Sequence, residues 1–174
     1  QELRAAQMAN IALEQRRATA VRRAYEEKVE SVAMFGESSV GLVGFFNNPT
    51  VDVVAADKWF DTATAAEMLE LLNYGVSAII NASKMKEQPD TILLAYEDYN
   101  KISTTRNSDS SDVTVLEYFL RTNPYIRNVE PINQLDAGNS VLNTNRMVVY
   151  KRDPEKVQLH IPQPLELFPP QQRG

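Results

Sequence analysis

The chain has 174 residues, 43% apolar and 24% charged, with no cysteine and a net charge of −5. That length suits one substantial core or two small lobes sharing one, at the composition of an ordinary soluble globular protein. It excludes disulfides and thiolate chemistry, fits a reducing compartment, and contains no apolar run near the ~18 residues that would span a bilayer. Residues 1–36 carry six Lys/Arg against five Asp/Glu, leaving twelve against eighteen for the remainder. A chain that tracks nucleic-acid phosphates needs a basic stripe, because counterion release supplies most of that affinity. Nothing after residue 36 supplies one, which argues against sequence-specific nucleic-acid binding. The chain opens on Gln1 without a signal-peptide pattern, as expected of a fragment or processed product.

In chain order, residues 1–35 predict a single helix of about 50 Å. Ile11, Ala18, Val21, Tyr25, Val29 and Val32 make one narrow apolar stripe, and neither Gly nor Pro interrupts. Arg22–Glu26 and Arg23–Glu27 are opposite charges four residues apart. Gly36 is placed to end the helix as a left-handed residue. So long a helix with so narrow a stripe suits a rod that lies across a sheet or touches neighbouring subunits. Tyr25 and Val29 are predicted to pack on the sheet, and Arg16, Arg17, Arg22 and Arg23 to face solvent or another subunit.

The stretch GLVGFFNNPTV follows, reading as a bend whose phenylalanines enter a core. A second helix starts at Thr64-Ala65-Ala66-Glu67, a capping box, with Leu69, Leu72, Val76 and Ile79 buried. Gly75 within it suggests close approach to a neighbouring backbone. Thr91–Ala95 is a short buried strand, followed by a helical turn through Tyr96, Tyr99 and Ile102. Residues 103–112 form a polar loop from which Asp112 or Ser111 caps a third helix, with Val113, Leu116 and Leu120 on its face. That helix stops at Asn123-Pro124. Residues 126–135 are extended and broken by Pro131, hence an edge. Asp136–Asn139 is a turn, and Asp153-Pro154 signals a hairpin between Arg146–Lys151 and Lys156–Ile161. Prolines 162, 164, 169 and 170 enforce an extended exit.

Catalytic patterns are weak. Ser38 lacks the following glycine of a nucleophile elbow, and the segment follows a helix where the elbow needs a strand. His160 is the only histidine, and its alternation places it on the wet face of a strand. Asp109 and Asp112 lack Ca²⁺-loop spacing. Gly41-Leu42-Val43-Gly44 has no lysine for a phosphate loop, no charge between its glycines, and no basic flank for a membrane-inserting tip. By elimination, the chain reads as a structural protein.

The order of these features resembles the major capsid proteins of tailed phages and prophages with the Hong Kong 97-type shell fold, and the related encapsulins. The resemblance runs through VAMFGESSVGLVGFFNNPTV, TAAEMLELLNYGVSAI, PDTILLAYEDYNKIST, VTVLEYFLRTNPYIRNVEPINQL and MVVYKRDPEKVQLHIPQPLELFPPQ. Its most specific piece is Phe35-Gly36 through Pro49. It implies an α+β fold with a peripheral domain holding the spine helix (1–60), a small-sheet axial domain (61–160) and a return strand into the peripheral domain (161–174). It implies a structural subunit that self-assembles into pentamers and hexamers of an icosahedral virion shell enclosing double-stranded DNA. Scaffold, protease and portal proteins are the partners implied, without a membrane, catalytic residue, cofactor or metal. Gly36, Gly41, Gly44 and Pro49 are the structural turn; Arg16, Arg17, Arg22, Arg23, Glu26 and Glu27 are the candidate subunit interface. Such proteins carry an N-terminal arm and a hairpin loop before the spine helix, so this chain resembles the middle of one. The alternatives are an encapsulin-type compartment shell and, in a different class, a small ligand-binding domain or enzyme.

Overall fold

A computed structural model of the chain describes residues 2–138, 143–161 and 163–166. The described residues form two compact units, one from Gln1–Val51 with Leu159–Gly174 and a second from Asp52–Gln158.

The first unit is dominated by helix α1, Glu2–Phe35, about 50 Å of uninterrupted rod. Among its described side chains, Tyr25, Val29 and Val32 are half-buried, while Leu13 (46%) and Val21 (49%) stay exposed. Ile11 lies outside the described side chains. The helix stops as its sequence predicts. Gly36 takes φ 75°, and its N–H donates to Val32 O at 2.8 Å.

A helix end leaves four carbonyls without intrahelical partners. Here all four are met by the segment that follows. Val32 O accepts from Gly36, Ala33 O from Phe45 N–H (2.8 Å), Met34 O from Phe46 N–H (2.9 Å), and Phe35 O from the Asn47 side-chain amide. Between these bonds the chain makes a small hairpin, with Glu37 opposite Leu42, a 3₁₀ turn at Ser38–Val40, and Gly41 at φ 71°. Two glycines let it fold back so tightly. A Cβ on Gly36 would sit 2.3 Å from Leu42 O, and one on Gly44 2.3 Å from Gly36 N and 2.5 Å from Met34 O. The Phe46 ring is buried against Phe35 (centroids 5.9 Å) and Phe45 (5.4 Å).

The second unit has its own core. Helix α2, Ala65–Ala82, opens with the expected capping box: Thr64 N–H donates to Glu67 Oε2 at 2.8 Å, and Thr64 Oγ1 accepts from Glu67 N–H. Three strands follow: β1 (Thr91–Leu94), β2 (Asn128–Pro131) and β3 (Met147–Tyr150), in sheet order β2-β1-β3. β1 runs parallel to β2, with Thr91 opposite Asn128, and antiparallel to β3, with Thr91 opposite Tyr150. As the central strand it is buried at all four residues, and Pro131 closes β2 at the sheet edge, where its missing N–H costs no ladder bond. Helices α3 (Tyr96–Thr104) and α4 (Val115–Thr122) complete the unit. Met68, Leu72 and Val76 of α2 meet Ile92 and Leu94 of β1, Ile102 of α3, and Val115 and Phe119 of α4 in one cluster.

Four local expectations change. The cap of α4 is Thr114, whose Oγ1 accepts from Glu117 N–H at 3.2 Å, rather than Ser111 or Asp112. The helix therefore starts later and buries Val115 and Phe119, leaving Leu120 38% exposed. Gly75 faces side chains rather than a backbone: an added Cβ would meet Met147 Cε at 2.7 Å and Val149 Cγ2 at 2.9 Å. Asp153-Pro154 does not turn a hairpin. Asp153 instead caps a single helical turn, its carboxylate accepting from Glu155 N–H and its carbonyl from Lys156 and Val157. Residues 157–161 then run exposed and join no strand among the described residues, and Pro162, Pro169 and Pro170 lie outside the described residues, as does Asn139.

Candidate assembly surfaces

Every residue of α1 from Gln15 to Ala24 is exposed. Arg16, Arg17, Arg22 and Arg23 are exposed, as are Ala18 and Val21 of the predicted apolar stripe, so exposure here does not distinguish one helix phase from another. Arg23 pairs with Glu27 at 2.9 Å across one turn, whereas the matching Arg22–Glu26 pair is not formed. Arg16, Arg17 and Arg22 have no ion-pair partner among the described residues. Single exposed pairs of this kind contribute little to stability, so the arginines act as a charged surface.

The structural turn is a rigid projection at the end of this rod. Lys28 reaches Glu37 at 2.5 Å, and that contact, with a second from Ser39, holds the Glu37 carboxyl below the usual carboxylate range. Asn47 locks the base: its Oδ1 accepts from Gly44 N–H at 2.7 Å while its amide donates to Phe35 O. Pro49 sits in a turn whose Asn48 Oδ1 accepts from Thr50 N–H and whose Asn48 O accepts from Val51 N–H. The loop thus pinned presents Val40 (67% exposed), Leu42 (54%) and Val43 (56%) to solvent. Sequence reasoning sent the phenylalanines inward correctly and missed both this apolar tip and Asn47. The signal for Asn47 is an asparagine just after a glycine and two aromatics that must return to a helix end.

In the second unit the polar chemistry gathers where β1 and β2 end. Tyr96 N–H donates to Asp136 Oδ1 at 2.7 Å, supplying the cap that Ala95 cannot. Asn145 clamps the same region, donating to Asp98 Oδ1 at 3.2 Å and accepting from Ala137 N–H at 2.7 Å. Asp98 is buried, and that burial pushes its carboxyl up, with Glu97, Asp136 and Asp61 adding to the effect. An open cleft of about 410 Å³ lies here, lined by Glu97, Asn133, Asp136, Ala137 and Gly138. At the start of α2, Lys58 and the Thr64 N–H hold Glu67 down to about 2.

His160 and Ser38 are both exposed and lie on no shared catalytic geometry. Asp109 and Asp112 sit in an exposed loop, where Asp112 faces Arg106 at 3.8 Å. Among the described residues no group of three or more acidic or histidine side chains is placed to hold a metal ion, and no helix is long and apolar enough to cross a membrane.

A family model described as "Major capsid protein" matches residues 1–174. Among solved structures, a chain from the capsid of the Myoviridae phage XM1 superposes with a TM-score of 0.63 at 15% identity, over 79% of this chain and 49% of that one. At that identity the likeness is one of fold, and the present chain spans about half the length of its structural match. No curated protein matches the chain significantly. With a family match from end to end and the mixed helix-and-sheet fold of a phage capsid chain, this chain belongs to the major capsid protein family.

Proposed function

We propose that the chain is the central part of a structural subunit of a tailed-phage or prophage capsid with the Hong Kong 97-type layout. Subunits associate into pentamers and hexamers of an icosahedral shell enclosing double-stranded DNA in the virion. On this reading the first compact unit is the peripheral domain, α1 is its spine helix, and the second unit is the axial domain. The unit boundaries at 51/52 and 158/159 support that division, close to the 60/61 and 160/161 read from sequence.

One observation carries the reading. A helix exposed on all sides from Gln15 to Ala24, with Leu13 and Val21 half-exposed, buries no face there against the described residues. In water most helical stability comes from packing an amphipathic face rather than from propensity. Neighbouring subunits supply that packing, with Arg16, Arg17, Arg22, Arg23, Glu26 and Glu27 setting register along the edge. Gly36, Gly41, Gly44 and Pro49 shape the projection that α1 presents to the same neighbours. The net charge of −5 suits a container that does not grip its DNA. Scaffold, protease and portal proteins are the further partners such a shell uses.

Electron microscopy of the full-length protein is the test. Closed, smooth particles are expected; a monodisperse monomer under all assembly conditions would sink the reading. Neither an encapsulin-type compartment nor a small enzyme is favoured by the family match.

A further inference from the structure

Helix α2 ends in a way its sequence does not announce. The stop has the bonds of a Schellman motif: Lys84 N–H donates to Asn81 O at 3.1 Å and Met85 N–H to Ile80 O at 2.8 Å. Glycine normally occupies the left-handed position of that motif. Here Lys84 (φ 52°) and Met85 (φ 63°) take it in succession, a conformation unfavourable for any residue with a Cβ. The surroundings enforce it. Ser83 Oγ accepts from Glu87 N–H and lies 3.2 Å from Ile80 O, and Ser83 O accepts from Lys86 N–H. The motif ordinarily folds its last residue onto the helix as an apolar contact. Met85 is instead 67% exposed, between two exposed lysines with no ion-pair partner among the described residues.

The sheet sets this tip opposite the acidic cleft. β1 and β2 are parallel, so the segments that follow them, Tyr96–Asp98 and Asn133–Gly138, lie together at one end of the strands. The 84–86 tip belongs to the loop that feeds the start of β1, at the other end. One end offers two lysines around a protruding thioether. The other offers the Glu97 and Asp136 carboxylates around a cavity, with Tyr96, 57% exposed, next to Glu97.

We infer that the Lys84–Met85–Lys86 tip of one copy docks, head to tail, in the Glu97/Asp136 cleft of a second copy. The inference rests on the shell-subunit reading and adds the partner surfaces to it. Charge is complementary in one orientation only, and the Met85 thioether is suited to the edge of a tyrosine ring. A donor and an acceptor at opposite ends of the strands make a heterologous contact, which closes into rings when the rotation between copies allows. A tip already held in its docked shape loses little entropy on binding.

This chain contributes no cysteine of its own, so Met85→Cys combined with Ala137→Cys in the full-length protein, read against the unsubstituted full-length protein, reports this contact directly. Oxidation is expected to give a covalent ladder of trimers and larger species, while either single variant gives none. Lys84→Glu with Lys86→Glu is expected to lower capsomer yield about tenfold, Glu97→Lys likewise, and the three together to restore it within about twofold. Normal particles without a ladder, a ladder that ends at dimers, or a folded triple variant that stays unassembled would overturn the contact and leave the shell reading standing. A wild-type protein that forms no oligomer would remove both.

Discussion

Phe119 and Val21 sit on helices of the same chain under opposite conditions. Phe119 is fully buried with Met68, Leu72 and Ile92 in the core of the second unit, while Val21 is half-exposed on a rod whose surroundings are solvent. The second unit meets the ordinary requirement of a domain, burying one face of each helix against a sheet. The first unit does so only at its end, where the 36–47 segment closes over the last turn of α1. On the proposed reading a shell subunit divides in this way: one part folds on its own contacts, and the other completes its packing in the assembly.

That contrast can be broken most directly at Phe119. Phe119→Ala is expected to destabilise the second unit by about 3–5 kcal/mol, read as a lower urea midpoint by tryptophan fluorescence from Trp59. Val21→Ala should leave that midpoint unchanged and reduce particle formation instead. Equal shifts from both variants would show that the units do not differ as described.

Gly44→Ala comes next. Its Cβ would fall within 2.5 Å of three backbone atoms, Gly36 N, Met34 O and Phe35 C. Because none of these is a flexible side-chain end, a cost of roughly 2 kcal/mol is expected, localised to the first unit. Hydrogen exchange at Phe45 and Phe46 should rise, with the sheet amides unaffected.

Removing the cap of α2 by Thr64→Ala should cost about 1 kcal/mol in the second unit. The paired Glu67 titrates at about 2, below its ordinary 4.5, so its ionised form is favoured by folding. Its stabilising contribution is present above pH 4.5 and is lost as pH falls toward 2. Glu67→Gln should therefore flatten the acid limb of the second unit's stability curve, measured by melting from pH 5 to pH 2.

The smallest effect is expected at Lys84. Lys84→Gly relieves the left-handed strain and should stabilise the second unit by about 0.5–1 kcal/mol in a thermal melt. A gain in melting temperature together with a loss of assembly would separate the fold's preference from the assembly's. A loss in melting temperature would mean the lysine stem contributes packing not seen in its exposure.

Much of this was legible in the sequence where the cause is local. Glycine- and proline-free composition and a 3.6-residue stripe make α1; Gly36 stops it; Thr64 and Glu67 start α2. Each rests on bonds and sterics within a few residues. The α4 cap was misplaced although Thr114 and Glu117 have the right spacing, because the Ser- and Asp-rich loop just before them offers competing caps. The stop at Lys84-Met85 carries no glycine and gave no sign. As for the candidate surfaces, arginines on a rod exposed all round face solvent in any helical phase, while the apolar tip at Val40, Leu42 and Val43 is not legible in the sequence, since apolar residues in a bend ordinarily go inward.

Local sequence settles the existence of the helices, the stop of α1, the start of α2, the burial of the short strand at Thr91–Leu94 and the edge position of the Pro131 segment. Strand pairing is set by the tertiary structure: β1 takes β2 in parallel and β3 antiparallel, and Lys156–Ile161 joins no strand among the described residues. The tertiary structure also has Gly75 make room for Met147 and Val149, and sets the loop carrying Lys84 before β1 and the Glu97 segment after it, at opposite ends of that central strand. The physical reason is range: helix starts and stops are settled by neighbours within a turn or two. Strand order, close packing and the placement of surfaces depend on residues tens of positions apart, whose meeting is decided only when the core closes.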